Sequence, residues 1–449
     1  MEVNKTGDEP YKHWLFGHTL EFAKNTIEFI NKCQQISEEC YKARIAFRDF
    51  YFVFDPLMVK HVLQERQKNY KKSFAYEGLK DFLGEGLLTN EGDFWLKQRR
   101  LIQPAFHQGE LDKFVVDMNQ RSKGLMESWK SSDSLDITEE MIVLTEEIIT
   151  HALFGGETTA MDIAPGEIGD LLLTLRSHAA GKVKNPLKMP LWVPNHENRN
   201  FKKALSRIDE IISHIIDKKL SNEKCSNDLL SMLMSVEDAD TGEKMSRRQL
   251  RDEVVTLYIA GQETTTMAIT FICYLLAKHP EAQSKAREEV VEVIGGRSIE
   301  SMNDLRSLPY LTAIIKEGLR LYPPAWSLGR EALEDDHFND IKINKGDTLL
   351  VSIFHLHRNS KYWEDPDEFK PERFFSEIPK KAYMPFGIGQ RICIGNNFSM
   401  MEIQIIIANI LLKFNIDAVD QDLELKTPII LNPKNKIMLT ISENEDIYA

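Results

Sequence analysis

A single cysteine in a glycine-punctuated loop is the strongest chemical signal in the sequence. Cys393 lies in the segment FGIGQRICIG, before an apolar run that predicts a helix from Asn397 to Leu412. Backbone N–H groups and the dipole at the start of a helix stabilise negative sulfur and lower the pKa of a thiol. The glycines of the segment let the backbone approach a flat cofactor, and Arg391 supplies a charge for an anionic group. A buried structural cysteine is the alternative that the residue type alone favours.

A polar interruption in the long apolar tract from Val254 to Ala277 is the second signal. Gly261 is a weak point in a helix, and the Thr264 hydroxyl can bond a preceding carbonyl, so the helix can open into a notch that admits water. Glu263 and Thr264 would then be catalytic: the hydroxyl positions a water and the carboxylate connects it to solvent for proton transfer. An ordinary threonine-rich buried helix with Glu263 in a salt bridge explains the same segment.

The ten residues from Phe386 to Gly395 match the F-x-x-G-x-R-x-C-x-G signature of the cytochrome P-450 superfamily at every fixed position. Further motifs occur in the family's order, so the chain resembles that family over nearly its whole length. The resemblance implies a mainly α (α+β) fold, with a large helical domain and small β-sheets around a buried haem, as one domain over residues 1–449. It also implies haem b, with Cys393 as the proximal iron ligand and Phe386 packed beneath the haem near the sulfur.

Three charged residues are similar to the family's Glu-Arg-Arg network, which braces the core on the haem side. Glu317 and Arg320 lie at i and i+3 of a predicted helix, and Arg373 belongs to the segment PERF. An i,i+3 ion pair alone is usually a solvated surface pair, so the third residue carries the assignment. The resemblance therefore implies a structural network of Glu317, Arg320 and Arg373.

The resemblance also implies residues for the haem propionates and for a substrate pocket. Trp95 and Arg99, in a W-x-x-x-R spacing, together with Arg330 and Arg391, are the expected propionate partners, because the guanidinium fork pairs with carboxylates. The family's pocket segments map to residues 74–88, 171–194 and 325–328, with Ala260 beside Thr264, and all are rich in apolar side chains. The candidate pocket residues are Phe74, Leu87, Leu88, Ala260, Ala325, Trp326 and Leu328.

The pattern of apolar residues predicts the elements that must position these groups. Helical periodicity dominates the first three hundred residues, and strand-like alternation is confined to 43–54, 341–353 and 429–441. Ser246 and Gln249 form a capping-box pattern that begins a helix running to Lys278, where His279-Pro280 ends it. A second helix is predicted from Pro309 to Leu321, and residues 182–200 are expected to be irregular.

Composition restricts the function classes. The 449 residues carry a net charge of -13, which argues against a broad nucleic-acid or anionic-membrane surface. Five scattered cysteines fit a reducing compartment better than a disulfide framework. Residues 1–10 are polar, with neither a signal peptide nor a membrane anchor, so a soluble cytoplasmic protein is expected. His355 and His357 are close in sequence, but no further His or Cys stands at metal-ligand spacing.

The resemblance implies a haem-thiolate monooxygenase that inserts one oxygen atom from O₂ into a lipophilic molecule: a fatty acid, a terpenoid or a polyketide-like compound. No dinucleotide fingerprint is present, so a separate ferredoxin or flavodoxin with its reductase should supply electrons. The expected docking patch is Lys97, Arg100, Lys380 and Lys381. A peroxide-driven or isomerase-type haem-thiolate enzyme is the alternative, and a non-enzymatic haem sensor is the third interpretation.

Overall fold

A computed structural model describes residues 9–45, 48–131, 134–155, 163–164, 166–184, 189–221, 227–238, 240–419 and 422–444. In chain order, the helices are α1 (Thr19–Lys24), α2 (Thr26–Ile36), α3 (Pro56–Lys60), α4 (Glu77–Leu83), α5 (Gly92–Ile102), α6 (Gln108–Leu111), α7 (Val115–Glu127), α8 (Ile137–Phe154), α9 (Glu167–Lys184), α10 (His196–Ser221), α11 (Leu229–Ser235), α12 (Arg247–Lys278), α13 (Pro280–Val293), α14 (Met302–Arg306), α15 (Pro309–Leu321), α16 (Ile353–Leu356) and α17 (Asn396–Lys413). The strands are β1 (Cys40–Ile45), β2 (Arg48–Val53), β3 (Tyr70–Lys72), β4 (Ser134–Asp136), β5 (Ser327–Ala332), β6 (Asp336–Phe338), β7 (Ile341–Ile343), β8 (Thr348–Ser352), β9 (Phe414–Ala418), β10 (Leu425–Lys426), β11 (Asn432–Pro433) and β12 (Met438–Glu443).

The described residues group into two compact units. The first, called the Cys393 unit, comprises those within Met1–Ala75, Thr312–Cys393 and Asp420–Lys436. The second, called the α12 unit, comprises those within Tyr76–Leu311, Ile394–Val419 and Ile437–Ala449. Whether the chain folds as the one domain predicted from its sequence stays a prediction.

A five-stranded sheet in the order β1-β2-β8-β5-β3 forms the frame of the Cys393 unit. β2 and β8 pair in parallel, and the other neighbours pair antiparallel. Val53 and Val351, which are register partners on β2 and β8, are buried in a core that also includes Val59 and Val62. Burial of these branched side chains on one face fixes the register, because a one-residue slip would turn them outward.

The long helix α12 is the centre of its unit. Ser246 and Gln249 form the predicted capping box, and the helix ends at Lys278, before His279, also as predicted. Its 32 residues span roughly 48 Å at 1.5 Å per residue. α12 packs against α8, α10 and α17, and the small sheet β4-β12-β9 completes the unit. Almost all residues from 252 to 258 and from 265 to 277 are buried, so the half-buried segment around Gly261 stands out.

The predicted fold class is confirmed: the chain is mainly helical with small sheets. α15 begins and ends at the predicted residues, but each predicted strand region divides in two, into β1 and β2, β7 and β8, and β11 and β12. Alternation cannot locate a turn inside an apolar run, such as that at Gly346, whose φ is +87°. The irregular stretch predicted at 182–200 is shorter, since α9 reaches Lys184 and α10 begins at His196, and residues 185–188 lie outside the described chain. Among the described residues, no helix is long and apolar enough to cross a membrane.

Candidate functional site

Cys393 lies at the end of a tight loop shaped by two glycines in left-handed conformations. Gly387 and Gly389 have φ angles of +73° and +78°, which residues with a Cβ rarely adopt. The Gly387 N–H donates to the Met384 carbonyl at 2.9 Å, and the Cys393 N–H donates to the Phe386 carbonyl at 3.0 Å. The loop backbone therefore folds back on itself, and these two hydrogen bonds fix the position of Cys393 at its end.

The described cysteines differ in their access to a ligand. The Cys393 side chain is exposed, Cys40 is half-buried, and Cys33 and Cys273 are buried. Burial raises the pKa of the Cys40 and Cys273 thiols to about 12, so neither would supply a thiolate at neutral pH. Cys225 lies outside the described residues. Among the cysteines that the structure describes, only Cys393 thus combines exposure with the predicted loop.

Glu317, Arg320 and Arg373 form the predicted network. Arg320 Nε lies 2.7 Å from Glu317 Oε2 and its Nη2 2.8 Å from Oε1, a bidentate pair in which both side chains are completely buried. Arg373 Nε donates to Glu317 Oε1 at 3.0 Å, and the Lys370 N–H donates to the same oxygen at 2.9 Å. Four hydrogen-bond donors to one carboxylate offset the desolvation penalty of burying its charge.

Arg320 also binds three backbone carbonyls, which the sequence could not reveal. Its guanidinium donates to the carbonyls of His357 at 2.9 Å, Pro366 at 2.6 Å and Glu368 at 2.9 Å. The guanidinium carbon lies 5.1 Å from the Trp363 ring centroid, within the range of a cation–π contact. The network therefore ties α15 to the irregular segment that precedes the Cys393 loop.

His355 and His357 lie close together near β8, and their ring nitrogens make hydrogen bonds within the protein. His355 and His357 are both buried, and burial lowers the pKa of each to about 3. Among the described residues, no cluster of three His, Cys, Asp or Glu side chains is placed to hold a metal ion. Both rings are therefore neutral hydrogen-bonding groups.

Arg330 is the most informative of the predicted propionate partners. It is 7% exposed on β5, and its guanidinium donates to the Gly329 carbonyl at 2.9 Å. No carboxylate of the described chain forms an ion pair with it, although burial of an unpaired cation is costly. Of the other three, Trp95 is buried, and Arg99 and Arg391 are half-buried. A buried arginine that lacks a described counter-ion suits an anionic group brought by a cofactor.

Thr264 makes the predicted bond to the carbonyl of the preceding turn. Its hydroxyl donates to the Ala260 carbonyl at 2.6 Å, and Ala260 is exposed on an otherwise largely buried helix. α12 is continuous through Gly261, so the opening expected there does not occur as a break in the described helix. A Cβ on Gly261 would come within 2.9 Å of Ile149, and the missing side chain therefore permits close packing against α8.

The next two threonines face other helices. The hydroxyls of Thr265 and Ser399 lie 3.2 Å apart, and those of Thr266 and Thr145 lie 2.6 Å apart. Thr265 also hydrogen-bonds the carboxyl group of Glu402, whose pKa burial raises well above its usual value. Glu402 could not be identified from the sequence, because a lone glutamate in an apolar helix gives no signal of its partner.

Glu263 forms an ion pair with Arg176 of α9. Its side chain is only 12% exposed. Burial raises the pKa of Glu263, and the charge and hydrogen bond of Arg176 oppose that rise. The salt-bridge interpretation of this glutamate is therefore observed, and a connection to solvent would require the pair to open. Arg176 could not be predicted as the partner, since a sequence pattern cannot match residues on helices that are distant along the chain.

Two buried carboxylates of α12 hold the loop that carries Leu87 and Leu88. Asp252 Oδ2 accepts from the Glu85 N–H at 2.9 Å, and Glu253 Oε2 accepts from the Leu87 N–H at 2.9 Å. The glycines on either side of Glu85 have no room for a Cβ against α12. Leu87 and Leu88 remain half-buried. The glycines thus serve close approach of the loop to the helix, a role that their spacing alone did not reveal.

The remaining predicted pocket residues belong to the Cys393 unit. Ala325 and Leu328 are half-buried, and Trp326 is buried. Phe74 is 37% exposed, and the Arg48 guanidinium lies over its ring at 4.8 Å from the centroid. Their assignment to a pocket stays a prediction.

The residues of the Cys393 unit fit a haem. Cys393 is exposed, and a cysteine sulfur is the soft donor that haem-thiolate iron takes. A Cβ on Gly389 would overlap the Leu63 carbonyl oxygen, so glycine is required for the loop to lie this close to its neighbour. Arg330 offers a buried positive charge to a propionate. Donor type, loop shape and charge therefore agree with the predicted cofactor.

Known proteins similar to this chain agree with that fit. The family model described as Cytochrome P450 matches residues 8–441. The chain is 31% identical over 425 residues to the cyclooctatin synthase of Streptomyces melanosporofaciens, covering 90% of this chain and 91% of the relative. It is 30% identical to cyclooctat-9-en-7-ol 5-monooxygenase of the same organism, covering 90% and 88%. Among solved structures, the haem domain of cytochrome P450DA gives a TM-score of 0.87 at 25% identity, covering 97% of both chains.

Proposed function

Because the chain belongs to the cytochrome P450 family, we propose that it inserts one oxygen atom from O₂ into a neutral terpenoid and that Cys393 is the iron ligand of its haem b. The chain is a haem-thiolate monooxygenase, which requires a substrate, O₂ and an electron-transfer partner. The observation that carries the ligand assignment is the exposed Cys393 sulfur in its glycine-shaped loop. When bound, the haem supplies oxygen activation at an iron made electron-rich by the thiolate.

The protein's own residues hold the cofactor and move protons. Arg330 and Arg391 would pair with propionates, with Trp95 and Arg99 as further partners. The Thr264 hydroxyl, already oriented by the Ala260 carbonyl, would position a water, and the Glu263 carboxyl would receive and release protons when its pair with Arg176 opens. The presence of both Glu263 and Thr264 supports oxygen insertion over peroxide-driven or isomerase chemistry, which does not need ordered proton delivery to O₂.

A neutral substrate is favoured over a fatty acid by the pairing of nearby cations. Arg176 and Lys80 lie in the predicted pocket segments, and each forms an ion pair with a carboxylate, Glu263 and Glu77 respectively. At either of these two described cations, a fatty-acid carboxylate would have to displace the carboxylate that is already paired with it. The printed name of one relative, cyclooctat-9-en-7-ol 5-monooxygenase, describes oxidation of an unsaturated alcohol. We therefore place terpenoids before fatty acids and polyketide-like molecules.

An optical titration of the purified ferric protein tests this proposal. Neutral terpene alcohols should convert the absorption spectrum from the low-spin to the high-spin form, whereas fatty acids of similar size should not. Matched pairs, each an alcohol and the corresponding acid on one carbon skeleton, separate charge from shape. If the acids bind more tightly than their alcohols, the neutral-substrate proposal is wrong, although the enzyme class is unaffected.

The proposed electron donor is a separate ferredoxin or flavodoxin. Lys380 and Lys381 are exposed in the Cys393 unit, and no described carboxylate pairs with either. Lys97 and Arg100, predicted to share the patch, instead pair with Glu243 at 2.7 Å and Asp240 at 3.0 Å. Lys380 and Lys381 are therefore the better candidates to attract an acidic carrier. Location in the cytoplasm stays a proposal that rests on the cysteine usage.

A further inference from the structure

His357 connects the buried Glu317–Arg320–Arg373 network to the loop that carries Cys393. Its Nε2 lies 2.9 Å from the Met384 backbone nitrogen, and its Nδ1 lies 3.2 Å from the Arg320 carbonyl oxygen. Since the Met384 N–H can only donate and the carbonyl can only accept, Nε2 is the acceptor and Nδ1 carries the proton. The ring is thus a neutral imidazole in one fixed tautomer.

Both ends of this bridge are anchored. Arg320 is held by the bidentate pair with Glu317 and by the carbonyls described above. At the other end, the Met384 carbonyl accepts from the Gly387 N–H at 2.9 Å, which begins the turn leading to Cys393. Tyr383 stacks on the imidazole at 5.4 Å between centroids and 23° between planes. A displacement of His357 would therefore shift the first turn of the loop.

We infer that His357 is a positioning residue for the thiolate: its acceptor nitrogen fixes the Met384 N–H and with it the register of the loop that presents Cys393. The inference rests on the proposed role of Cys393 as the iron ligand. It requires an acceptor at the Nε2 position, not simply a buried ring. Met384 lies on the loop, and Arg320 belongs to the buried network. Because the imidazole hydrogen-bonds to both, it fixes the position of the loop relative to the network.

His355 provides a matched control two residues away. It is as deeply buried and as neutral as His357, and its ring nitrogens contact Ser352 Oγ at 2.6 Å and the Ile27 carbonyl at 3.3 Å. Neither partner belongs to the Cys393 loop. Substitution of His355 should therefore weaken the fold without a specific effect on the sulfur.

The test compares His357→Gln, His357→Asn and His355→Asn in the haem-loaded protein. A glutamine can place its carbonyl oxygen near the Nε2 position and still accept from Met384, whereas the shorter asparagine reaches only the Nδ1 position. The readouts are the ferrous–CO absorption band that distinguishes thiolate from neutral-thiol ligation, and hydrogen exchange of the peptide spanning residues 384–393. His357→Asn should lose part of the thiolate-type band and exchange about tenfold faster at that peptide, as for the loss of one buried hydrogen bond.

His357→Gln should retain both signals, and His355→Asn should keep the thiolate band even if it unfolds at lower urea. The inference is overturned if His357→Asn matches the wild type in band and exchange, or if His355→Asn loses the band to the same extent. It is also overturned if His357→Gln behaves like His357→Asn. A wild-type protein without a thiolate-type band would instead contradict the assignment of Cys393 itself.

Discussion

Glu317 and Glu263 are both glutamates beside an arginine, but their surroundings differ. Those of Glu317 suit a structural role, and those of Glu263 suit proton transfer. Glu317, in the Cys393 unit, is completely buried and accepts from Arg320, Arg373 and a backbone N–H. Glu263, in the α12 unit, has Arg176 as its ion-pair partner and retains some exposure. Burial raises the pKa of Glu263 while Arg176 opposes the rise. A saturated carboxylate can only hold structure, whereas a carboxyl with one partner and a shifted pKa can exchange protons.

The same contrast extends to the surrounding polar groups. The guanidinium groups of Arg320 and Arg373 are matched to the Glu317 carboxylate and to backbone carbonyls, which suits a network that supports a loop. Near Glu263, α12 also carries the hydrogen bond to Glu402, whose Oε1 has no partner among the described residues. Incompletely satisfied buried groups are costly, and they commonly mark functional positions. Four predictions test this division.

Glu317→Gln should have the largest effect, on stability. Removing the negative charge leaves the buried guanidinium of Arg320 uncompensated, so the free energy of unfolding should fall by about 3–5 kcal/mol, measured by urea denaturation. Asp365→Asn removes a carboxylate from Lys370, a pair whose side chains are 44% and 50% exposed, and should change stability little. If the two substitutions lowered the free energy of unfolding equally, the distinction between the fully hydrogen-bonded, buried pair and the exposed pair would be wrong.

Glu263→Gln should preserve stability better and reduce turnover instead, by on the order of 100-fold, because general acid–base catalysis contributes at least that much. Arg176→Gln keeps the carboxyl and removes the group that opposes the rise of its pKa. The pH profile of product formation should therefore shift to higher pH in Arg176→Gln and lose the corresponding limb in Glu263→Gln. An unshifted profile in Arg176→Gln would mean that Glu263 does not titrate during turnover.

Acid should weaken the Cys393 unit through its neutral histidines. Burial lowers the pKa of His355 and His357 from 6.5 to about 3, so between these values the unfolded chain binds protons that the folded chain does not. The free energy of unfolding should fall as pH decreases from 6.5 to 5, with a slope of up to about 1.4 kcal/mol per pH unit for each histidine. His355→Gln should reduce the slope. A slope that His355→Gln does not alter would contradict the neutral assignment.

Charge reversal at the surface should have the smallest effect. Lys380→Glu with Lys381→Glu should slow reduction by an acidic carrier several-fold at low ionic strength, and the difference should vanish in high salt. Lys97→Glu with Arg100→Glu, where carboxylates already offset the positive charges, should change the rate less. The measurement is stopped-flow reduction across a salt series, and an identical response of both double variants would remove the preference for the first pair.

Sequence predicted the parts of this protein whose signal is local. The capping box of Ser246 and the prolines around α15 determine helix ends through residues that are close together in the sequence. The Cys393 motif is likewise one continuous segment. Glu317 and Arg320 are one turn apart, so their pairing was also predictable. Partners that belong to distant segments could not be predicted, because they depend on packing between elements. Examples are Arg176 for Glu263, Met384 for His357 and Thr265 for Glu402. Strand ends were missed because apolar alternation continues across turns.

The central claim is that Cys393 alone supplies a thiolate to haem iron, and the most direct test is the ferrous–CO absorption spectrum of Cys393→Ser beside the wild type and Cys40→Ser. Cys40 is half-buried, and burial raises its pKa to about 12, so its removal should not affect the spectrum. The wild type and Cys40→Ser should both show the red-shifted band of a thiolate-ligated haem, and Cys393→Ser should lose it. Retention of that band by Cys393→Ser would contradict the account.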